Sequence, residues 1–399
     1  MAGNGRRPGT LQRWALGLGP LGLLAALIAV FVIFDPTSVM RTSFPPVEDL
    51  TIERVTLPAP GLMEVHVVNG GPAPVTVAQV LVDEAYWEHE IDGSRTIQRL
   101  GRRTITLPYP WVEGEPHQIA LITSTGLTFT HEVEVATVTP QPSARFFAVF
   151  ALLGIYVGVL PVLIGLLWSP FLRRVDKRWT HFFLSVTIGL LVFLGVDALD
   201  EALKTAAAVP DAFQGVGLVL LGVVASVAAL RILAGTRRGS GDENLDPRAA
   251  RLRLSYLVAI GIGLHNLGEG LAIGAAFSLG EIALGSFLII GFAIHNTTEG
   301  LAIVAPVATD RPPVKHYLSM GALAGLPTIL GTWIGGFSYS PIAATLFLAL
   351  GAGAIFQVVL EIGRMLQRDA PRGVLAPLNA AGLTLGLVLM YGTALLVVA

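Results

Sequence analysis

The stretch HNLGEGLAIGAAFSLGEIALGSFLIIGFAIHNTTEGLAIVAP, residues 265–306, is almost entirely apolar, yet it contains the pattern His-Asn-x-x-Glu-Gly twice. The copies begin at His265 and His295, and only a few residues near 279–282 interrupt the apolar sequence between them. Two helices joined by so short a turn must be antiparallel neighbours, which puts both copies at similar depth. Ionisable residues inside apolar helices are costly and mark functional sites, so the doubled pattern requires an explanation.

The composition indicates an integral membrane protein. Of the 399 residues, 53% are hydrophobic and 14% are charged, whereas soluble domains carry roughly 25% charged residues. There is no cysteine, so the chain has neither disulfides nor thiolate metal ligands. Eight apolar runs are long enough for helices that cross a bilayer. They lie at residues 146–168, 181–203, 212–233, 254–278, 283–307, 316–337, 341–364 and 374–398.

The first 143 residues differ from this helical region. The uncharged run Ala15–Phe34 exceeds the usual core of a signal peptide, and no small-x-small cleavage site follows. We therefore predict an uncleaved signal anchor over residues 1–34 rather than a cleaved signal peptide. Residues 35–143 contain short, alternating, β-branched segments punctuated by Gly, Pro and Asn, which predicts a small all-β sandwich of about seven strands. WEHEID (87–92) is predicted as a surface strand, and the scattered histidines there favour no metal site: His66, His89, His117 and His131.

The charges of the loops predict the orientation. If the N-terminus is cytoplasmic, every second loop of the region 144–399 returns to the cytoplasm. These loops hold the basic residues, whereas the loops on the other side of the membrane contain only Lys204. The basic residues are Arg173, Arg174, Lys177, Arg178, Arg237, Arg238, Arg248, Arg251, Arg311, Lys315, Arg368 and Arg372. We expect a protein of the cytoplasmic membrane with its β domain and C-terminus outside the cytoplasm.

Each motif copy presents metal-ligating groups on one helix face, because its His and Glu are four residues apart. If the two faces meet, six residues converge: His265, Asn266, Glu269, His295, Asn296 and Glu299. Imidazole with carboxylate suits Zn²⁺, Fe²⁺ or Mn²⁺ better than Mg²⁺ or Ca²⁺. A lone His or Asn would serve equally well as an interhelical hydrogen bond, but two copies at matched depth favour a metal site.

Two smaller polar groups are candidate parts of an ion pathway. The first lies on one face near the predicted outer end of the second bundle helix and comprises Asp197, Asp200 and Glu201. This group either attracts cations to the outer entrance of an ion pathway or is a solvated helix end. Asp197 lies one turn deeper than the other two, which favours the first interpretation. The second is Glu361, with Gln357 one turn above it, near the inner end of the seventh helix. Glu361 is either an exit ligand or the ion-pair partner of Arg364.

Residues 146–399 resemble the ZIP family of zinc/iron permeases, especially its bacterial members. The resemblance rests on the two motifs, with weaker support from LGVDALDEAL (194–203) and GAGAIFQVVLEI (351–362). It implies eight helices, arranged as an inverted repeat of three helices around the central pair, and metal entry down its gradient. It also implies that the six motif residues form a transport site for one or two ions, with Asp200 and Glu201 at the outer entrance.

Several departures from the family pattern bear on this site. Family members often have proline before each motif glutamate, where this chain has Gly268 and Thr298. Many also carry a glutamate on the sixth helix, where Thr328 stands here, so one ion is a safer expectation than two. The loop between the third and fourth helices lacks the histidines of many members, and an anchored β domain ahead of the bundle is not typical.

We therefore expect a divalent metal-ion transporter, not an enzyme, that works by alternating access. The cargo is expected to be Zn²⁺, or else Fe²⁺ or Mn²⁺, with no prosthetic group and no nucleic-acid partner; a homodimer and the partner of the β domain stay open. One alternative is a non-transporting metal receptor or assembly protein whose β domain carries the function. Another is an intramembrane metalloenzyme, which the lack of HExxH and the two equivalent motifs disfavour.

Overall fold

The computed structural model describes residues 10–34, 47–174, 176–235, 246–369 and 373–398. The chain divides into two compact units, Met1–Val47 and Glu48–Ala399. Some sequence predictions lie outside the described residues: those for Arg237, Arg238 and Arg372, and those for segments 1–9 and 35–46.

The first unit contains one described helix, α1 (Thr10–Phe34). Its apolar part, Leu18–Phe34, is exposed along its whole length. The run expected to span the bilayer is therefore helical, and its role as a signal anchor stays a prediction.

The second unit begins with an antiparallel β region of nine strands rather than about seven. The two sheets have the orders β1-β2-β7-β5 and β4-β3-β8-β9, and β6 pairs with β3. The count is higher because the predicted strand WEHEID is divided between two short strands, β4 and β5, and because the short β6 was not predicted. The strands are β1 (Leu50–Ala59), β2 (Leu62–Asn69), β3 (Val75–Val82), β4 (Ala85–Trp87), β5 (Glu90–Ile91), β6 (Thr96–Ile97), β7 (Arg102–Leu107), β8 (His117–Thr123) and β9 (Thr128–Val133).

The core of this β region comes from alternation along the strands. Met63, Val65 and Val67 of β2 are buried, as are Ile105 and Leu107 of β7, and successive side chains of a strand point to opposite faces. Each fully buried aliphatic side chain contributes about 1.5–3 kcal/mol. The other face of β2 carries the polar residues Glu64 and His66 between the apolar Leu62 and Val68.

The turn between β3 and β4 is held by a buried histidine. Asp83 and Glu84 both have positive φ, 51° and 66°, as in a type I′ turn. The Asp83 carboxylate accepts hydrogen bonds from Tyr109 Oη (2.7 Å) and the Gln118 backbone N–H (2.9 Å), and it contacts His117 Nδ1 (2.7 Å). Partial burial alone would raise the pKa of Asp83. The three hydrogen bonds have the larger effect, and the pKa of Asp83 therefore lies below its ordinary value.

Replacing Asp83 with Asn is expected to destabilise the β region by about 1–2 kcal/mol, because an amide cannot accept all three hydrogen bonds. In the wild type, the ionised Asp83 side chain stabilises the fold fully at a pH above the pKa of an unfolded aspartate, about 3.9. This stabilisation is lost as the pH falls through the lower pKa that Asp83 has in the folded protein. Hydrogen exchange of the full-length chain would measure it, with Glu84→Gln in the same turn as the control. Equal protection in the two variants would contradict the assigned role.

Among the described residues that follow there are eight helices long and apolar enough to cross a membrane, which confirms the eight predicted runs and indicates an integral membrane protein. Most extend the predicted range by a few residues at one or both ends. They are α2 (Ala144–Leu172), α3 (Lys177–Ala206), α4 (Gly215–Gly235), α5 (Pro247–Ser278), α6 (Ile282–Val304), α7 (Val314–Ser338), α8 (Pro341–Asp369) and α9 (Pro377–Val398). Within α2, residues Ile155–Val159 form a π-helical turn.

Helix α5 lies at the centre of the bundle. It is the most buried of the eight helices, and it packs against α6, α7 and α8. Its contact with α7 is a close backbone approach, since a Cβ atom on Gly274 would lie 2.6 Å from the backbone nitrogen of Gly336. Small residues allow such approaches between membrane helices. Helix α6, the second motif helix, packs in turn against α2.

Three of the helix ends beside the loops predicted to be cytoplasmic meet at one end of the bundle, as two contacts between described residues show. Arg251 of α5 makes a bidentate ion pair with Asp310 in the α6–α7 connection, at 2.6 and 2.7 Å. Arg173 at the end of α2 donates to Tyr317 of α7 at 2.9 Å. The β region contacts the opposite end, at the α5–α6 turn. The β region and the basic loops are therefore at opposite ends of the helices.

Candidate metal centre

The structure brings the six motif residues together at one buried position between α5 and α6. Each side chain belongs to a residue that is no more than 6% exposed. Both helices run without interruption through their motifs, so Gly268 and Thr298 replace the proline of the family pattern without breaking either helix. The Thr298 hydroxyl donates instead to the backbone carbonyl of His295, at 2.6 Å.

The carboxylate of Glu269 joins the two motif copies. Its Oε1 contacts Nε2 of His265, at 3.2 Å, and Nε2 of His295. Its Oε2 accepts a hydrogen bond from Asn296 Nδ2 at 2.9 Å. A residue of the first copy is thus bound to two residues of the second, as expected if the copies are two halves of one site.

Three groups of the site can hold a metal ion. Ligand atoms of His265, His295 and Glu299 all lie within 4.8 Å of one another. Around a tetrahedral ion with bonds of about 2.0–2.1 Å, neighbouring ligand atoms lie roughly 3.4 Å apart, so small side-chain rotations would close the set onto an ion. Two imidazoles and one carboxylate form a donor set suited to zinc and its first-row neighbours.

Glu299 has unused acceptor capacity. Both of its carboxylate oxygens are buried without a hydrogen-bond partner of normal geometry among the described residues, although the Asn266 side chain is near enough to interact with it. A buried carboxylate without partners is costly, and native proteins rarely leave one. A cation bound between Glu299 and the two imidazoles would supply the missing partner.

The two asparagines are fixed by bonds to neighbouring helices. Asn266 Nδ2 donates to the carbonyl of Ala324 on α7 at 3.1 Å, and Asn296 Nδ2 donates to the carbonyl of Val157 on α2 at 3.0 Å. Only the N–H side of an amide can donate to a carbonyl, so these bonds set the orientation of both amides. Their Oδ1 atoms are buried and have no partner among the described residues, which leaves them free to face a cation.

A proline explains why one of the two acceptor carbonyls is available. Pro161 is four residues after Val157, where a helix would normally provide the donor N–H, and proline has none. The π-helical turn at Ile155–Val159 lies at the same point. On α7, Pro327 removes the N–H that would reach the Leu323 carbonyl, so it does not account for the acceptor at Ala324. The partners on α2 and α7 were not predicted from the sequence, although Pro161 inside an apolar run is a visible signal.

Thr328 supplies no carboxylate to the site. It is fully buried on α7, its Oγ1 has no partner among the described residues, and its side chain packs against Gly158 of α2. The glutamate that many ZIP members carry on the corresponding helix therefore has no counterpart at Thr328.

The acidic residues predicted at the outer mouth are not joined to the buried site. Asp197, Asp200 and Glu201 are exposed on α3. Asp200 pairs with Lys204 at 2.7 Å, as the solvated-helix-end interpretation expects.

The predicted inner pair forms a short chain of contacts on α8. Gln357 Nε2 donates to Glu361 Oε1 at 3.1 Å, and Arg364 donates to the same oxygen at 2.9 Å. Glu361 therefore has the ion-pair partner that the simpler interpretation assigned to it. Gln357 is buried, and its Oε1 has no partner in the described part of the chain.

The histidines of the β region do not gather into a metal site. His66 lies between Thr56 and Thr104, at 3.0 and 3.2 Å, and His117 is bonded to Asp83. Over the described ranges, His265, His295 and Glu299 form the one group of three such ligands.

No protein-family model matches the chain, and no curated protein matches it. The resemblance to ZIP permeases therefore stays an expectation, and function must be inferred from the residues themselves.

Proposed function

We propose that the protein transports a divalent metal ion across the cytoplasmic membrane into the cytoplasm. One observation carries this proposal: His265, His295 and Glu299, from two motif copies on neighbouring apolar helices, place their ligand atoms within 4.8 Å of one another in the buried centre of the bundle.

The charges of the site support a cation as the cargo. Two carboxylates and two imidazoles lie together in a bundle that would be surrounded by lipid, where unpaired charges are very costly. Glu269 has hydrogen-bond donors around it, whereas Glu299 has unused acceptor oxygens. A divalent ion balances this second carboxylate, and zinc, with iron or manganese as alternatives, fits the donor set.

The packing of the helices supports transport by two related halves. Helix α2 packs on α6 as α7 packs on α5, and α3 packs on α9 as α8 packs on α4. This exchange of partners is expected if α2–α4 and α7–α9 are inverted copies around the central pair. Inverted repeats with a central binding site are a common construction of transporters that alternate access between the two sides.

Metal uptake by the purified protein in lipid vesicles tests the proposal. Vesicles containing the protein are expected to take up Zn²⁺ down its gradient, and Glu269→Ala and Glu299→Ala are each expected to abolish that uptake in a folded protein. Undiminished uptake by both variants would contradict the proposal. Metal binding without uptake would instead support the alternative of a membrane metal receptor.

Replacing Pro161 with Ala is expected to weaken zinc binding by roughly 3- to 10-fold. Alanine would restore the N–H that competes for the Val157 carbonyl, so Asn296 would lose the bond that orients it. Mutation of a residue that is hydrogen-bonded directly to a metal ligand lowers metal affinity by about 10–100-fold. Pro161 acts only through the orientation of Asn296, so the expected loss is smaller. Calorimetric titration would measure the change, with Pro170→Ala, an exposed proline later in α2, as the control. Equal affinities in the two variants would count against this role.

A further inference from the structure

The β region packs against the outer end of the bundle at two places. The first, the turn contact, joins Val135 and Thr137 to Gly280 in the α5–α6 turn. Gly280 has a φ of +86°, and a Cβ atom on it would lie 2.5 Å from the Val135 carbonyl oxygen and 2.9 Å from Thr137 Oγ1. Beside this contact is a cavity of about 100 Å³, whose lining includes Arg54, Glu64, His66, Ser278, Leu279 and Phe337.

The second place, the loop contact, joins Asp49 and Gly70 to Pro210 and Asp211, which precede α4. A Cβ atom on Gly70 would lie 2.9 Å from the Pro210 Cβ. The Asp49 backbone carbonyl accepts hydrogen bonds from the N–H groups of Gly70 and Gly71, which holds these residues together. The side chains of Asp49 and Asp211 carry like charges, and partial burial together with Asp211 raises the pKa of Asp49.

The helices form two sets that differ in how they are bonded. Hydrogen bonds join α2, α5, α6 and α7, which we name the motif set. Asn266 ties α5 to α7, and Asn296 ties α6 to α2. Thr332 of α7 donates to the Phe150 carbonyl of α2 at 2.8 Å. The remaining helices, α3, α4, α8 and α9, pack on one another through α3 and α8, and we name them the flank set.

Contacts between the two sets in the described part of the chain are mainly packing contacts, and a close backbone approach joins α5 to α8, where a Cβ atom on Gly351 would lie 3.0 Å from the Cα of His265. Leu348 of α8 packs against Gly268, where a Cβ atom would meet the leucine Cδ2 at 2.9 Å. The Thr298 hydroxyl lies 3.8 Å from the sulfur of Met390 on α9. Movement between the two sets would break few hydrogen bonds, whereas separation of the motif helices would break those of Asn266, Asn296 and Thr332.

The β region is attached to the motif set by its own chain. The linker after β9 leads directly into α2, and it is paired with β1: Leu57 N–H donates to Thr139 Oγ1 at 2.8 Å, and Thr139 N–H donates to the Leu57 carbonyl at 2.9 Å. The turn contact adds a second attachment to the same set. The loop contact, by contrast, reaches the flank set.

We propose that the β region is a clamp that restrains movement between the two helix sets, with a loop contact that opens during each transport cycle and a turn contact that stays closed. This inference rests on the proposed transport function, because alternating access requires the set that holds the ion to move against the other. The like charges of Asp49 and Asp211 keep the loop contact weak enough to open.

Disulfide cross-links test the clamp, since the natural chain has no cysteine. The pair Gly70→Cys and Pro210→Cys would lock the loop contact, because a small shift brings the two Cβ atoms to the roughly 3.8 Å that a disulfide needs. Zinc uptake into vesicles is expected to fall at least about tenfold on oxidation and to recover on reduction. The matched pair Thr137→Cys and Gly280→Cys would lock the turn contact, and its oxidation is expected to leave uptake within twofold of its reduced form.

A charge change tests the same clamp without a cross-link. Asp49→Lys turns the repulsion by Asp211 into attraction, and uptake is expected to slow roughly threefold. Glu113→Lys, an exposed change of equal charge elsewhere in the β region, is expected to have no such effect. Unchanged uptake with the loop contact locked, or an equal block with the turn contact locked, would overturn the clamp. Failure of the unmodified chain to take up metal would overturn the transport function itself.

Discussion

Replacing Glu299 with Gln is expected to abolish zinc uptake and to weaken zinc binding at least about 100-fold. Glutamine keeps the size of the side chain but removes the charge of a carboxylate whose two oxygens have no normal hydrogen-bond partner among the described residues. Loss of groups that merely orient a ligand costs about 10–100-fold in metal affinity, so loss of a ligand is expected to cost more. Because an amide is cheaper to bury than a carboxylate, the variant should fold at least as stably as the wild type.

A buried polar group outside the centre provides the control for this prediction. Thr345 of α8 is fully buried, and its hydroxyl has no partner in the described residues. Thr345→Val removes that hydroxyl at nearly constant volume and is expected to leave both binding and uptake within about twofold. Wild-type zinc affinity in the Glu299→Gln protein would show that Glu299 is not a ligand.

Replacing Gly300 with Ala is expected to destabilise the bundle by about 3 kcal/mol and to displace the second motif copy. A Cβ atom at this position would meet the Val162 carbonyl oxygen and would lie 2.7 Å from the Cα of Gly165. Both neighbours are backbone atoms of α2 and cannot rotate away, so the cost lies at the upper end of the 1–3 kcal/mol typical of overpacking. Separation of α6 from α2 would also stretch the bond from Asn296 to α2.

The matched control for this change is Gly392→Ala on α9, where a Cβ atom would meet nothing within 4 Å. In that open position alanine is expected to be neutral or to stabilise the helix by up to about 1 kcal/mol. Unfolding of both variants in a denaturing detergent, followed by circular dichroism, would measure the difference. Equal stability of the two proteins would contradict the close approach of α6 to α2.

Much of the fold could be predicted from the sequence because the signals are local. A run of about 20 predominantly apolar residues predicts a spanning helix, and the eight such runs after residue 143 are helical over their described residues. The longer strands alternate clearly, whereas β5 and β6 have two residues each and cannot show a period. The predicted number of strands, about seven, was therefore lower than the nine in the structure.

The centre could be predicted in part for a similar reason. The spacing within each motif fixes which residues share a face, and the short turn at 279–281 places the copies at one depth. The partners of Asn266 and Asn296 could not be found in this way, because they are backbone carbonyls on α2 and α7. Backbone acceptors have no residue type, so the sequence marks one of the two, Val157, by Pro161 four residues later. The contacts of the β region with the bundle likewise join residues far apart in the chain.

Location of bound zinc tests the central claim most directly, namely that the two motifs form one metal site. Anomalous scattering at the zinc edge, from crystals of the full chain grown with Zn²⁺, would give its position. The predicted result is one strong peak between His265, His295 and Glu299, which Glu299→Gln removes. A peak elsewhere, such as at the histidines of the β region, with none between the motif helices would contradict the claim.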